Sequence, residues 1–479
     1  MNGRKISVKN IGLVLGPALA ALMVALGPPD DLAFAAWATG ALMVWMAIWW
    51  ATEPIPIPVT SLLPLVVLPL VGAGSPGQIA PGYASPIVML LMGGFIIALA
   101  IERWNLHERI ALGIVVNVGS RPSALIGGFM IATAILSMWI SNSATTVMMI
   151  PIALSAAAKL GDTSGKFVTA LLLGICYAAS IGGVATPIGT PTNLIAIDWL
   201  TANTGQGIGF VTWMMFGIPS VLLLAPVAWW IVTRDLPKLG GGQAVLDDIR
   251  LQRSKLGALT GPEGRVAIVF AIVALLWMLR VPLNNVGEAY DIQPLMALSD
   301  VGIAVAGAVS VFLVPAGSDE KRALLNWEEA VKLPWGVLLL FGGGIALGRA
   351  VQSTGMSEWV GTQLQVLSVF PLLIFIALFV ALVIFLTEIT SNVATMTTLA
   401  PILGTVAVGI GAEPSSLLAP AAVAASCAFM LPVATAPNAI VYATEKVTIA
   451  QMMRKGLAIN LIGVAIITAI GYWLAPLIL

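Results

Sequence analysis

Long apolar runs alternate with short polar breaks along this chain. The runs cover 11–26, 34–50, 59–71, 87–100, 211–232, 266–279, 301–314, 334–347, 371–386 and 456–479. About 18 or more consecutive apolar residues read as a membrane-spanning helix. Shorter runs are completed by flanking small residues or by local thinning of the bilayer. The pattern has no period-two alternation, so it predicts helices throughout. A basic flank (Arg4, Lys5, Lys9) precedes the first run. With more apolar runs following and no soluble domain after a cleavage site, this run reads as a retained span, not a signal peptide.

One polar–small–proline phrase interrupts the apolar runs twice. SNSATTVMMIP at 141–151 recurs as SNVATMTTLAP at 391–401, 250 residues later. Near the same offset, LLMGGFIIALAIERWNLHERI (90–110) resembles LLLFGGGIALGRAVQSTGMSEWV (338–360), and GGVATPIGTPTNLIA (182–196) resembles LPVATAPNAIVYA (431–443). The expected organisation is a leading transmembrane helix (1–32), a first repeat (33–234), a connector (235–264) and a second repeat (265–479). Lys and Arg gather in cytoplasmic loops. They cluster at Arg103 and Arg109, at Arg121, at Lys159 and Lys166, through 234–265 (including Lys238), at Lys321, Arg322 and Lys332, and at Lys446, Arg454 and Lys455. Stretches such as 27–32 (Asp30, Asp31) and 282–294 (Glu288, Asp291) carry acid only, and Arg280 and Arg349 are isolated exceptions. This bias predicts a cytoplasmic N-terminus, an outside C-terminus, a cytoplasmic connector that is part surface helix, and two repeats of opposite orientation.

Polar breaks inside membrane segments are tolerated where they are buried in protein or line a wet cavity. Matching breaks in inverted halves point to a transport site near the midplane. Ser141-Asn142 and Ser391-Asn392 each stand just before a helical run, where Ser and Asn cap well. The free N–H groups of a helix N-terminus suit a carboxylate. The ends of the preceding half-helices, 124–140 and 371–389, offer carbonyls and hydroxyls that suit a small hard cation such as Na⁺. No Arg or Lys lies in either phrase or in its partner loop, so bound cations are expected to supply the charge that a dianion needs.

Composition agrees. Hydrophobic residues make up 59% and charged residues 9%, mean hydropathy is +1.00, and net charge is zero. Soluble domains carry about 25% charged residues, and nothing here suits nucleic acid. One His and two Cys, Cys176 and Cys427, both in apolar segments, supply no nucleophile–base pair or metal set, which argues against an enzyme. Glu388, beside the second phrase, reads as a buried acid held by hairpin backbone in preference to a proton or cation partner. Glu53 reads as a loop anchor.

WATEPIPIPVTSLLPLVVLPL (50–70), SMWISNSATTVMMIPIAL (137–154), GGVATPIGTPTNLI (182–195), TEITSNVATMTTLAPIL (387–403) and LPVATAPNAIVYAT (431–444) together resemble the divalent anion/Na⁺ symporter family over nearly the whole chain. The resemblance implies a homodimer in the bacterial inner membrane. Each protomer would carry a scaffold domain and a transport domain, and the latter would move as an elevator. The fold expected is then an all-α polytopic membrane protein with about 11 transmembrane helices plus two re-entrant hairpins, near 121–160 and 370–410. Carried over position by position, one Na⁺ site would use Ser137, Ser141, Asn142 and carbonyls near Gly189. The other would use Thr387, Ser391, Asn392 and carbonyls near Ala434. The substrate would meet Asn142, Ser143, Asn392 and Thr435, with Val393 and Ala436 beside them. The family's usual third motif residue is Thr, where this chain has Ser143 and Val393; Thr192 and Ala436 stand where Pro is common. The implied activity is Na⁺-coupled uptake of a C4 dicarboxylate such as succinate. Na⁺-independent exchange, or symport of citrate or an inorganic divalent anion, are the alternatives.

Overall fold

A computed structural model describes residues 8–160, 162, 164–205, 207–237, 241–288, 295–317, 321–364 and 371–479. Arg4, Lys5, Lys238 and Asp291 lie outside the described residues. Among these residues the protein is helical, and ten helices are long and apolar enough to cross a membrane. Shorter apolar helices cover Ile57–Leu70, Pro122–Ser137, Asp300–Leu313, Leu372–Thr387 and Ser415–Ala425. Large apolar side chains such as Leu222, Ile268, Leu378 and Leu461 are exposed, as lipid-facing positions require.

Two helix–break–helix hairpins organise the interior. The first joins Pro122–Ser137 to Asn142–Leu160, and the second joins Leu372–Thr387 to Asn392–Gly409. Pro122 starts the first arm, where its missing N–H costs nothing. Pro151 and Pro401 occupy matching places inside the second arms. Both first arms stop short of the ends that the apolar pattern predicts, at Ser137 and Thr387 instead of 140 and 389. The N–H groups of Trp139 and Ile140 both bond to the Leu136 carbonyl, and those of Ile389 and Thr390 both bond to that of Leu386. This overwinds the last turn and ends the α-helix.

Each hairpin clasps a buried helix that unwinds near the hairpin tip. The first clasps Lys166–Gly183, in which every residue from Ala170 to Gly183 is buried. After a break at 184–190 the chain resumes as Pro191–Thr204. The second clasps Ser415–Ala425, buried throughout, which gives way at 426–435 and resumes as Ala436–Tyr442. Small residues allow the close approach: a Cβ on Gly182 would lie 2.4 Å from the Ala134 carbonyl oxygen. Phe210–Thr233 and Ile449–Trp473 complete this group and pack on each other.

The remaining helices frame that group. Pro86–Arg103 packs on Asp300–Leu313, and Gly261–Glu288 lies against both. A separate apolar cluster joins Phe34–Thr52, the 57–70 segment, Trp335–Ser353 and Met356–Leu364, and reaches the second hairpin at Ala394. The leading helix, Val8–Leu26, packs on Phe34–Thr52, with Trp49 Nε1 donating to the Gly12 carbonyl at 3.0 Å. The connector contains the helix Gly242–Lys255. Its buried Val245, Leu246 and Ile249 face the second arm of the first hairpin and the helix Leu106–Val115, so its apolar stripe is covered by protein. Ion pairs such as Arg109–Glu263 (3.0 Å) and Arg280–Asp300 (3.0 Å) lie at helix ends.

Candidate functional site

The two hairpin tips carry the same oxygen cluster. In the first, Ser137 Oγ lies 2.6 Å from Asn142 Oδ1 and 2.7 Å from the Ala179 carbonyl oxygen. In the second, Thr387 Oγ1 lies 2.7 Å from Asn392 Oδ1 and 3.0 Å from the Ala425 carbonyl oxygen. Ser137 and Thr387 are fully buried beneath their Asn residues. Each hydroxyl has one proton and two acceptors within reach. Ser141 and Ser391 sit at the breaks, and Ser141 Oγ accepts from the Ala144 N–H at 3.3 Å.

Opposite each tip, a buried Asn holds an unwound loop open. Asn193 Nδ2 donates to the carbonyls of Gly183 (3.0 Å), Val184 (3.2 Å) and Thr186 (2.7 Å). Asn438 Nδ2 donates to those of Ala428 (2.9 Å) and Leu431 (3.0 Å). Thr192 Oγ1, in the first turn of Pro191–Thr204, and Ser426 Oγ, at the start of the second loop, hydrogen bond at 2.9 Å.

The residue after Ser137 or Thr387 ties each tip to its loop, by different means. The Met138 carbonyl accepts from the Thr186 hydroxyl. Glu388 instead uses its carboxylate, which accepts from the N–H groups of Phe429 (2.8 Å), Met430 (2.9 Å) and Leu431 (3.1 Å) and from Asn460 Nδ2 (2.7 Å). Glu388 is thus a buried acid held by backbone, but not by that of its own hairpin as the sequence suggests. Those backbone donors belong to the loop facing the tip.

One cavity of about 1070 Å³ reaches both tips and both loops. Ser141, Asn142, Ser143, Gly189 and Thr190 line one part, and Ser391, Asn392, Val393, Ala434, Thr435 and Ala436 line the other. Every site residue expected from the sequence therefore lies on this cavity except Ser137 and Thr387, which are buried behind Asn142 and Asn392. Gly189 comes close to Asn142: the point where Gly183 lacks a Cβ is 2.6 Å from Asn142 Oδ1 and 3.0 Å from the Gly189 carbonyl oxygen. Ala434 is on the wall without a hydrogen bond to the second tip.

Four helices begin on this cavity, at Asn142, Pro191, Asn392 and Ala436. Thr435 caps the last of them, its Oγ1 accepting from the Asn438 N–H at 3.2 Å. Helix N-termini carry partial positive charge and free N–H groups, so their convergence suits an anion. The charged side chains on the wall are Lys9, at the start of Val8–Leu26, and Glu53, at the end of Phe34–Thr52. Glu53 is the left-handed cap of Phe34–Thr52 (φ 47°), which fits a loop anchor. Among the described residues no three His, Cys, Asp or Glu side chains cluster as a metal site. The oxygens at the tips are neutral, a chemistry that suits a hard cation and not a transition metal.

Sequence reasoning missed several participants. The Ala179 and Ala425 carbonyls have no side-chain signal. Asn460 is a fully buried amide in the apolar part of Ile449–Trp473, where a buried polar residue is a signal in itself. Trp139 at the first tip stacks with Phe210 (6.0 Å between centroids) and Trp277 (6.5 Å), and meets Phe270 edge-on at 5.1 Å.

The Gly183 contact gives a direct test. In Gly183→Ala the new methyl overlaps Asn142 Oδ1 and forces it from the cluster. Overpacking costs about 1–3 kcal/mol, or roughly tenfold to hundredfold in cation affinity. A cation held by this cluster should bind more weakly by that much, which a Na⁺ titration of thermal stability would show. Gly113→Ala, with nothing within 4 Å of the new atom, should leave that affinity unchanged.

Comparisons with known proteins identify the family and the fold. The model of the sodium:sulfate symporter transmembrane region matches residues 7–479. The sodium-dependent dicarboxylate transporters SdcS of Staphylococcus saprophyticus and of Staphylococcus aureus strain MRSA252 are each 41% identical to this chain, over 98% of it and 92% of their own length. Two solved structures share the fold at low identity. The Alcanivorax borkumensis YdaH transporter has a TM-score of 0.60 at 16% identity and covers 97% of this chain and 98% of its own. Neisseria gonorrhoeae MtrF, from a class of antimetabolite efflux pumps, has a TM-score of 0.62 at 14% identity and covers 96% and 98%. The protein is a multi-pass membrane transport protein, not an enzyme, and the chain belongs to the sodium:sulfate symporter family.

Proposed function

We propose that this protein couples Na⁺ to the uptake of a C4 dicarboxylate of the succinate type. The observation that carries this reading is the pair of matched oxygen clusters beneath four helix N-termini in one cavity. Its relatives named as sodium-dependent dicarboxylate transporters support the choice of ion and substrate. One Na⁺ binds Ser137, Ser141, Asn142 and carbonyls near Gly189. A second binds Thr387, Ser391, Asn392 and carbonyls near Ala434. When Na⁺ arrives, the Ser137 proton turns to the Ala179 carbonyl, and Asn142 Oδ1 is released to the ion. Thr387 does the same with Ala425. The Asn side-chain amides then face the cavity with Ser143 and Thr435, and donate to the carboxylates. Two bound cations balance the dianion without a basic side chain in either hairpin tip. Val393 and Ala436 present methyl groups to the anion and favour a compact substrate.

The halves 33–234 and 265–479 are inverted copies, with 1–32 leading and 235–264 linking them on the cytoplasmic side. The N-terminus lies in the cytoplasm and the C-terminus outside, in the bacterial inner membrane. The protein works as a homodimer whose hairpin-bearing helices move as an elevator, and Trp139 leaves Phe270 and Trp277 as they do.

Purified protein tests the order of binding. Succinate should raise the melting temperature in NaCl and leave it unchanged in choline chloride, because ligand binding stabilises the folded state by mass action. Equal stabilisation in both salts would refute Na⁺ coupling. Stabilisation by sulfate and not by succinate would refute the substrate class.

A further inference from the structure

A second, smaller groove lies away from the transport cavity, among the ends of three helices. It has a volume of about 540 Å³. Lys166 and Thr169 come from the start of Lys166–Gly183, Asp235 and Leu236 follow Phe210–Thr233, and Arg454 and Lys455 lie near the start of Ile449–Trp473. The groove is amphipathic. Ala170, Leu173, Val232 and Leu236 form its apolar side, and Lys166, Arg454 and Lys455 its basic side.

The three cations differ in commitment. Lys455 Nζ donates to Asp235 Oδ2 at 2.7 Å and to the Ile231 carbonyl at 2.6 Å, so it is held in place. The side chains of Lys166 and Arg454 have no ion pair or hydrogen bond among the described residues, and both are exposed. Asp235 pairs with Lys455 and, more loosely, with Arg234 at 3.8 Å, and it also feels the charge of Arg454. Lys166, Arg454 and Lys455 still outnumber this one carboxylate, so the groove keeps a positive excess that attracts an anion. The depth of the groove is marked independently. Trp229 and Trp230, one turn before it, are exposed, and Arg234 lies over the Trp230 ring at 5.7 Å. Exposed Trp at a helix end beside Arg is the pattern of the headgroup level of a membrane.

We propose that this groove binds the phosphate headgroup of an anionic phospholipid, with Lys166 and Arg454 on the phosphate and the first methylenes of the lipid against Val232 and Leu236. Basic pockets between transmembrane helices are suited to this role. A soluble anion would use the cations and leave the apolar side wet, so an amphiphile fits better. The three helices belong to the group that carries the tips. Lys166–Gly183 runs directly into the loop facing Asn142, and Ile449–Trp473 carries Asn460, which holds Glu388. A lipid seated here braces that group from outside.

The test uses the full-length protein purified in detergent, with phosphatidylglycerol, phosphatidylcholine or inorganic phosphate added. Phosphatidylglycerol should raise the melting temperature by about 3 °C or more, and the other two should not. The rise should vanish in Lys166→Gln/Arg454→Gln and persist in Lys166→Arg/Arg454→Lys. If the neutralised variant does not fold, Leu236→Glu, which sets an acid on the apolar side at a half-buried loop position, must abolish the rise instead. An equal rise with inorganic phosphate would assign the groove to a soluble anion and overturn the proposal. So would no rise at all, or a rise that survives both Lys166→Gln/Arg454→Gln and Leu236→Glu. None of these outcomes bears on Na⁺ coupling.

Discussion

Asn142→Ala and Asn392→Ala should each abolish dicarboxylate uptake while leaving a folded protein. Each Asn joins two ligands in the proposed mechanism. Its Oδ1 belongs to the cluster with Ser137 and Ala179, or with Thr387 and Ala425, and its amide faces the cavity. A hydrogen bond to a charged group contributes about 1.5–3 kcal/mol, and every 1.4 kcal/mol or so is tenfold in affinity. Losing the cation oxygen and the anion donor together therefore weakens coupled binding by about a hundredfold or more. Folding should survive because both side chains are only half-buried and both helices keep their backbone bonds. Uptake by reconstituted variants, beside their size-exclusion profiles, measures both halves of the expectation. Near-normal uptake in either variant would remove that tip from the site.

Glu388→Leu should have an effect of similar size through stability. It strands the N–H groups of Phe429, Met430 and Leu431 and the Asn460 amide, all of which the carboxylate now accepts from. A buried donor left without a partner costs about 1–3 kcal/mol, so four of them amount to several kcal/mol, a large part of a typical folding free energy. The yield of folded protein should fall sharply and uptake with it. Glu388→Gln keeps one acceptor oxygen and should fold with reduced uptake that remains Na⁺-coupled. Met138→Leu, at the matching turn, should be nearly silent, because there the bond is made by a backbone carbonyl. Full activity in Glu388→Leu would show that the 426–435 loop does not need this anchor.

The fold was legible in the sequence because the membrane leaves few choices: apolar runs become helices, and polar breaks must be sheltered. The tips were legible because Ser-Asn before a helical run recurs 250 residues later. The second loop was less so. Its break begins at Ser426, yet SCAFM is apolar and reads as more helix. What unwinds it is Glu388 taking three of its N–H groups, a contact across 41 to 43 residues that no local pattern carries. Asn193 and Asn438 stood in the motifs, but their work is to collect carbonyls, and that depends on loop shape. Lys9 reads in the sequence as part of the basic flank before the first span, yet it lies on the cavity wall. The aromatic packing around Trp139 joins residues more than 130 positions apart, which periodicity within a helix cannot reveal.

The central claim is that Na⁺ moving down its gradient drives the dicarboxylate. It is tested most directly in proteoliposomes that contain no dicarboxylate, given labelled succinate outside together with a tenfold inward Na⁺ gradient. Such a gradient supplies about 1.4 kcal/mol per ion. Two ions per succinate would then support roughly hundredfold accumulation, which should disappear when choline replaces Na⁺. Uptake that ignores this replacement and appears only when dicarboxylate is loaded inside would contradict the claim and make the protein an exchanger.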